Sequence, residues 1–487
     1  MLRFVWRQIT ALISTVLLLV LSLTLLLAYR YASHEQLDDS ERLAAKLDYL
    51  DELAQVPLAQ DAPNVIFILY DDLGYGDIGA GTQSNLIATP HLDRLARDGV
   101  ALTDFHSPAP VCTPSRAGYL TGRLPLRAGL PNVVFPSSNN WKGSVFRILN
   151  PQGNVRLPAE EITLADILKS VGYATGMVGK WHLGDVSPSL PNDMGFDEFY
   201  GALHSNDMTP FAHYRNGEIA LEAPVDQRYM SQIYTEEAVS FITENREQPF
   251  FLYFAHNFPH DPLHVRQERA GQSRAGLFGD VMEEIDEGIG TLITTLTAYD
   301  LLDNTLILVS SDNGPWFLGD SGDLRGRKGN TFEGGMRVPF IAHWPARIAP
   351  GRIEDAMSMG TDLLPTVLEI LALPSPDDRI IDGRSLLNLL TKGGESPHEY
   401  LFYFDAETLF AARSETFKYR GPAGVFYGTD QMPFAFGVPQ KEWLFDLEGD
   451  PRESYDTSLK HPEALGQLRD AFEAKRVEMQ RNLRGWR

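Results

Sequence analysis

From Pro63 onward the chain alternates two rhythms. Short apolar runs recur as "NVIFILY" (64–70), "YATGMVG" (173–179), "FFLYFA" (250–255), "TLILVSS" (305–311) and "VPFIAHW" (338–344). Between them lie segments with apolar residues three and four apart: "HLDRLARDGV" (91–100), "TLADILKSVG" (163–172), "YTEEAVSFITENR" (234–246), "DVMEEIDEGIGTLITTLTAYD" (280–300) and "TDLLPTVLEILAL" (361–373). The first kind predicts buried strands and the second helices. "VALTDFH" (100–106) reads as one further strand. Such alternation predicts an α/β sheet covered by helices on both faces. After "LPSPDD" (373–378) the rhythm changes. "EYLFYFD", "LFAARSE", "TFKYR" and "EWLFDLE" read as short antiparallel strands, and a last helix spans about 461–484. The expected organisation is a domain over 63–375 and a smaller α+β subdomain over 376–487.

The N-terminus follows a third pattern. Residues 9–28 contain no charge, and 20 residues at about 1.5 Å each match a bilayer core. Arg3 and Arg7 precede the stretch and "HEQLDDSE" follows it, so the positive-inside rule puts the bulk of the chain outside the cytoplasm. Residues 1–33 are therefore expected to be a retained anchor, with a cleaved signal peptide as the alternative. Residues 34–62 place Leu43, Leu47, Leu50 and Ala54 on one helical stripe and read as a stalk helix packed on the body. No Asn-x-Ser/Thr sequon occurs, which favours a bacterial periplasmic face over a glycosylated secretory protein.

Composition narrows the partners. The formal net charge is −23 and no basic run stands out, which excludes a nucleic-acid-binding surface. An acidic protein acting on an anion needs a local cationic pocket. Cys112 is the only cysteine of 487 residues, so it staples nothing within the chain.

The strand ends carry the chemistry. Ligands of open α/β sheets bind beyond the carboxyl ends of strands. Here "NVIFILY" runs into Asp71 and Asp72, "YATGMVG" into Lys180 and His182, "FFLYFA" into "HNFPH" with His260, and "TLILVSS" into Asp312 and Asn313. Asp71, Asp72, Asp312 and Asn313 offer oxygen ligands alone, which select Ca²⁺, or Mg²⁺ as the alternative, over zinc. Arg116, Lys180, His182, His260 and Lys328 together make a pocket for a tetrahedral oxyanion. Cys112 falls near a helix expected to start around Ser115, whose N-terminus also attracts anions.

Those residues sit in recognisable words. "CTPSRAGYLTGR" (112–123) resembles the signature C-x-P-S-R-x-x-x-L-T-G-R of the type I, formylglycine-dependent sulfatases, with every fixed position met. "GYATGMVGKWH" (172–182) is similar to the family's second signature, and "LYDDLGYGD", "HNFPHDP", "SDNG" and "GRKGNTFEGGMRVP" follow the family's order. The resemblance covers about residues 63–455, and from "LPLRAGL" to "HSND" it is closest to the arylsulfatase A-like branch.

The resemblance implies an alkaline-phosphatase-like sandwich with a large central mixed sheet. It implies oxidation of Cys112 to Cα-formylglycine by a maturase that reads Cys112, Pro114 and Arg116. It further implies a covalent sulfate–enzyme intermediate, formed by one hydroxyl of the hydrated aldehyde and broken by the other. By position, Asp71, Asp72, Asp312 and Asn313 match the metal ligands, with residue 112 completing the set. Arg116 and Lys180 would hold formylglycine and sulfate, and His182 would be the base for ester breakdown. Lys328 and His260 would bind sulfate and protonate the leaving oxygen, and Ser205 matches a family serine near the hydrate. The expected activity is hydrolysis of an aryl or carbohydrate sulfate. Alternatives are phosphonate or phosphate ester hydrolysis, and non-catalytic binding of sulfated glycans. Phosphoethanolamine transfer would require a threonine at position 112. Specificity is expected from loops 131–156, 184–215 and 420–440; oligomeric state is not legible.

Overall fold

Four strands are apolar along almost their whole length because neither face meets water. They are β1 (Asn64–Tyr70), β2 (Ala174–Lys180), β3 (Phe250–Ala255) and β4 (Thr305–Ser311). Successive side chains of a strand point to opposite faces, and the two faces feed two separate cores. Val65, Phe67 and Leu69 of β1 pack in one, and Ile66, Ile68 and Tyr70 in the other. The structure, a computed structural model, describes residues 2–32, 36–79, 86–137, 141–149, 154–422 and 441–487.

Among the described residues the large sheet has ten strands. Its middle runs β4, β1, β3, β2 and then Glu198–Ala202, all parallel. Antiparallel neighbours flank it, Phe340–His343 against β4 on one side and His213–Arg215 against Glu198–Ala202 on the other. The expected strand over 100–106 is split. Val100–Leu102 joins the large sheet, whereas Phe105–His106 pairs with Ser358–Met359. Between the two pieces, Asp104 is drawn aside by Arg413, whose Nη1 and Nη2 each lie 2.7 Å from a carboxylate oxygen.

Arg413 belongs to the second sheet, four antiparallel strands at Leu401–Asp405, Thr408–Arg413, Phe417–Arg420 and Trp443–Asp446. Helix Pro462–Arg481 packs on this sheet through Leu468, Phe472 and Met479. A buried ionic network joins it to the large domain: Arg413 on Asp104, and Lys418 Nζ on Glu333 at 2.9 Å. Charges this buried are held only in pairs.

The N-terminal helix α1 (Leu2–Ala32) is long and apolar enough to cross a membrane over Trp6–Tyr31, and none of that window is buried. Helix α2 (Ser40–Leu53) starts at Asp39, whose carboxylate accepts the Glu41 and Arg42 amides at 3.1 Å each. Its buried face differs from the expected stripe. Leu47 is 54 % exposed, while Lys46 is buried because Asp166 lies 2.8 Å from its Nζ and the Glu161 carbonyl accepts from it. Upstream, Gln36 bonds the backbone of residues 155 and 156, and Asp38 takes both Arg156 Nη atoms at 2.9 and 2.6 Å.

Candidate active site

Strand register decides where the chemistry gathers. Leu69 of β1 pairs with Ser310 on β4 and Ala255 on β3, and Ala255 pairs with Gly179 on β2. Asp71, Asp312, His256 and Lys180 therefore leave one edge of the sheet at nearly one level. Two of these exits need left-handed backbone at non-glycine residues, Asp72 (φ 68°) and His182 (φ 60°). Such conformations are costly and collect at functional sites. Gly179 has no substitute, since a Cβ there would lie 1.9 Å from the Ala255 carbonyl oxygen.

Helix α3 (Cys112–Thr121) starts at Cys112 itself rather than near Ser115, with Val111 as an extended cap residue. Ser115 Oγ turns back to the Ala109 amide (3.1 Å) and carbonyl (3.0 Å), which ties the preceding loop to the first turn. Every residue of α3 is buried. Cys112 Sγ donates to Asp71 Oδ1 at 3.2 Å. Burial, then the Asp71 charge, push the thiol well above the usual cysteine range.

Cations and carboxylates interlock around it. Lys180 Nζ bonds Asp71 Oδ2. Arg116 Nε bonds Asp312 Oδ2 at 2.9 Å, and its Nη1 bonds the Lys180 carbonyl at 2.6 Å. Lys328 Nζ lies 2.8 and 2.9 Å from the two oxygens of Asp72. Burial would raise Asp71, yet Lys180, helped by His260, Arg116 and Lys328, holds its carboxyl well below the usual range. Asp312 goes the other way, pushed to about 7 by burial and the Asp71 charge. Burial opposes the Lys328 charge, but Asp72 keeps its ammonium protonated.

Three histidines have assignable protons. His182 Nε2 lies 2.9 Å from the Val134 carbonyl, which can only accept, so the proton is on Nε2. Its Nδ1 is buried without a partner. Burial, then the charges of Lys180, His204 and Arg116, hold the ring well below the ordinary histidine range, hence neutral. His260 Nδ1 donates to the Asp261 carbonyl at 2.6 Å, leaving Nε2 facing Asp72 at 3.8 Å, and Ser205 Oγ lies 3.4 Å from the same ring. Burial and Lys328 lower His260 as well. His256 Nδ1 accepts the Phe258 amide, so its proton is on Nε2.

The donors suit a hard divalent cation. Ligand atoms of Asp71, Asp72, Cys112 and His260 lie within 4.8 Å of one another. Asn313 donates Nδ2 to Asp72 Oδ1 at 2.7 Å and leaves Oδ1 buried and unpartnered. Asp312 carries a charge that burial penalises and a cation would relieve. It now turns Oδ2 to Arg116, while Oδ1 accepts the Asp72 amide at 3.3 Å. A second grouping, Asp104, His106 and Glu333, is equally tight, but the Arg413 guanidinium fills it, 2.5 Å from His106 Nε2.

Sequence thus brings together Asp71, Asp72, Cys112, Arg116, Lys180, Ser205, His260, Asp312, Asn313 and Lys328, with His182 against the neighbouring wall. Unforeseen are His204 and Asp185 beside His182, and the ionic lock of Asp104, Glu333 and Arg413. Their partners are distant in sequence, and only the fold pairs them. Of the loops expected to set specificity, 423–440, 138–140 and 150–153 lie outside the described residues.

The Sulfatase family model matches residues 63–373. The chain belongs to the sulfatase family. A second family model, "N-sulphoglucosamine sulphohydrolase, C-terminal", matches residues 327–480 and takes in the small sheet of this sulfatase. Human arylsulfatase A is 36% identical over 443 residues, covering 81% of this chain and 83% of its own. Mouse N-acetylgalactosamine-6-sulfatase is 35% identical over 383 residues, covering 74% and 72%. Among solved structures, the PsFucS1 sulfatase from Pseudoalteromonas sp. superposes with a TM-score of 0.75 at 28% identity, covering 91% of this chain and 95% of its own. The protein is a sulfuric ester hydrolase with the large mixed sheet and small antiparallel sheet of that family.

Proposed function

We propose that this sulfatase hydrolyses sulfate esters of phenols or sugars, with Cys112 oxidised to formylglycine, at the outer face of the membrane that α1 spans. The observation that carries this reading is Cys112 itself, first residue of a buried helix, bonded to Asp71 and set among the charges of Lys180, Arg116 and Lys328. Hydrated formylglycine supplies two hydroxyls on one carbon, one to attack sulfur and one to expel sulfate. Asp71, Asp72, Asp312 and Asn313 with residue 112 would hold a divalent cation, Ca²⁺ or Mg²⁺, which would supply charge neutralisation.

The chain's own groups do the rest. Lys180 and Lys328 sit where their ammoniums can turn from Asp71 and Asp72 to sulfate oxygens. Arg116 is anchored by Asp312 and the Lys180 carbonyl, so it presents fixed charge without reorganising. Val134 fixes the His182 tautomer and leaves Nδ1 free to take the proton whose loss expels sulfate. His260 presents a bare Nε2 opposite Asp72, so it would protonate the departing alcohol oxygen only after taking up a second proton there, with Ser205 beside the ring.

The test is peptide mass spectrometry of residues 110–123 from protein co-expressed with a formylglycine-generating enzyme. Aldehyde at position 112 should rise in proportion to turnover. Fully active protein holding only thiol would overturn the reading. For location, N-terminal sequencing of the native protein should find a start at or near Met1 in the membrane fraction. A soluble form starting near residue 33 would mean a cleaved signal peptide.

A further inference from the structure

A cavity of about 180 Å³ is walled by Pro136, Ser137, Asp185, Leu203, His204 and Phe211 among others. Its walls are the segments that build the catalytic wall. Residue 134 holds His182 Nε2 and residue 137 gives its amide to Asp185 Oδ2 at 2.7 Å. The His182 amide bonds the Leu203 carbonyl at 3.1 Å, and Leu203 is two residues before Ser205. The His204 ring meets the His182 ring edge-on, with centroids 5.9 Å apart. His204 thus stands between the cavity, which it lines, and His182, which it touches, and Leu203 and His204 lead directly into Ser205.

His204 is the unexplained group. Its side chain is 8% exposed, yet neither ring nitrogen makes a hydrogen bond. Nε2 lies 3.2 Å from Asp185 Oδ2 but out of line with it. Burial opposes charge on Asp185, but His204 and the Ser137 amide hold it below the usual carboxylate range. Buried polar groups left unpaired are destabilising and call for a partner.

We propose that this cavity receives the alcohol half of the substrate, that this half is a single sugar ring, and that His204 and Asp185 read one of its hydroxyls. The inference rests on the sulfate-ester reading above. Size limits the guest to about one ring, since pockets enclosing drug-sized ligands run to roughly 300–1,000 Å³. Chemistry selects the kind of ring. Pro136, Leu203 and Phe211 offer an apolar surface for the C–H face of a pyranose. A hydroxyl on its edge donates to Asp185 and accepts from His204. An unsubstituted aryl ring filling the same space would leave the His204 ring nitrogens buried without a hydrogen bond, the situation in which sites discriminate most strongly.

The experiment compares wild type, His204→Phe and His204→Gln on 4-nitrophenyl sulfate and on hexose and N-acetylhexosamine monosulfates esterified at each ring position. Wild type should turn over at least one sugar sulfate. His204→Phe, which keeps the edge contact to His182, should lower kcat/KM on that sugar more than on the aryl sulfate by about 10–100-fold, the weight of one hydrogen bond to a charged group. The loss should lie mainly in KM, and His204→Gln should recover part of it. Equal losses on both substrates would make His204 a support for His182 and overturn the proposal, as would no loss on either. Wild type that cleaves 4-nitrophenyl sulfate but no sugar sulfate would overturn the sugar assignment alone. Inactivity on every sulfate ester would overturn the hydrolase mechanism, and the subsite with it.

Discussion

His182→Gln separates the two halves of the reaction. A glutamine amide can still donate to the Val134 carbonyl, now 2.9 Å from His182 Nε2, so the wall should keep its shape. What disappears is the bare Nδ1, the one buried nitrogen of this ring without a partner. A positioned general base contributes about 10²–10⁴-fold, or about 2.7–5.4 kcal/mol at 1.36 kcal/mol per tenfold. That loss should fall on sulfate release and spare the first transfer to residue 112. With excess 4-nitrophenyl sulfate in a stopped-flow instrument, the variant should release one nitrophenol per formylglycine site and then nearly stall. The pH profile adds an independent check. Burial and the charges of Lys180, His204 and Arg116 depress His182, so its basic form persists far below pH 6.5. The acid limb of kcat due to His182 should lie well below 6.5 in wild type and be absent from the variant. A variant with no burst, or with steady turnover within tenfold of wild type, would refute the assignment.

Metal removal should abolish turnover and Ca²⁺ or Mg²⁺ should restore it; Asp312→Asn should weaken Ca²⁺ binding in calorimetry and cost about 10²–10³-fold in kcat, the weight of one electrostatic partner, whereas full activity in metal-free protein would contradict the ligand set. The C-terminal Trp486 ring lies under four guanidiniums, Arg123, Arg379, Arg484 and Arg42, at 4.6, 4.9, 4.9 and 5.3 Å. Trp486→Ala should therefore cost about 2–4 kcal/mol, read as a lowered urea midpoint without a change in KM. His213 is lowered to about 4 by burial; a histidine with a depressed folded value stabilises above pH 6.5, and that contribution is lost as pH falls toward 4. Wild-type stability should accordingly fall by about 1.4 kcal/mol per pH unit more than that of His213→Phe between pH 6 and 4.5, and parallel curves would show that His213 titrates normally.

Much of the catalytic half was legible because local pattern and fold agree. "NVIFILY" and "TLILVSS" became β1 and β4 with the same bounds, since a strand buried on both faces needs an unbroken apolar run. The residues after those runs were readable as chemistry for the same reason: polar residues at the ends of buried strands must find a use. Legibility fails where a distant partner decides. Asp104 breaks the strand over 100–106 because Arg413 pulls it. Leu47 turns outward on α2 because Asp166 and two backbone carbonyls make Lys46 the better buried residue. His204 and Asp185 give no periodic or motif signal, and only the meeting of two loops sets them against His182.

Charge balance links the acidic chain to its anionic substrate. The net charge of −23 is spread over the protein, but the site sets Arg116, Lys180 and Lys328 against Asp71, Asp72 and Asp312. These six groups nearly cancel, which is why each can be buried. A divalent cation held by the carboxylates, as proposed above, would raise the site to an excess of about two positive charges and free both ammoniums. A bound sulfate monoester brings one negative charge and matches half of that excess. On the proposed mechanism a second negative charge would arrive only as the attacking hydroxyl at residue 112 gave its proton to a base outside these six groups. A site so loaded would be matched to the transition state better than to the bound ester. That difference, rather than tight substrate binding, would accelerate the reaction.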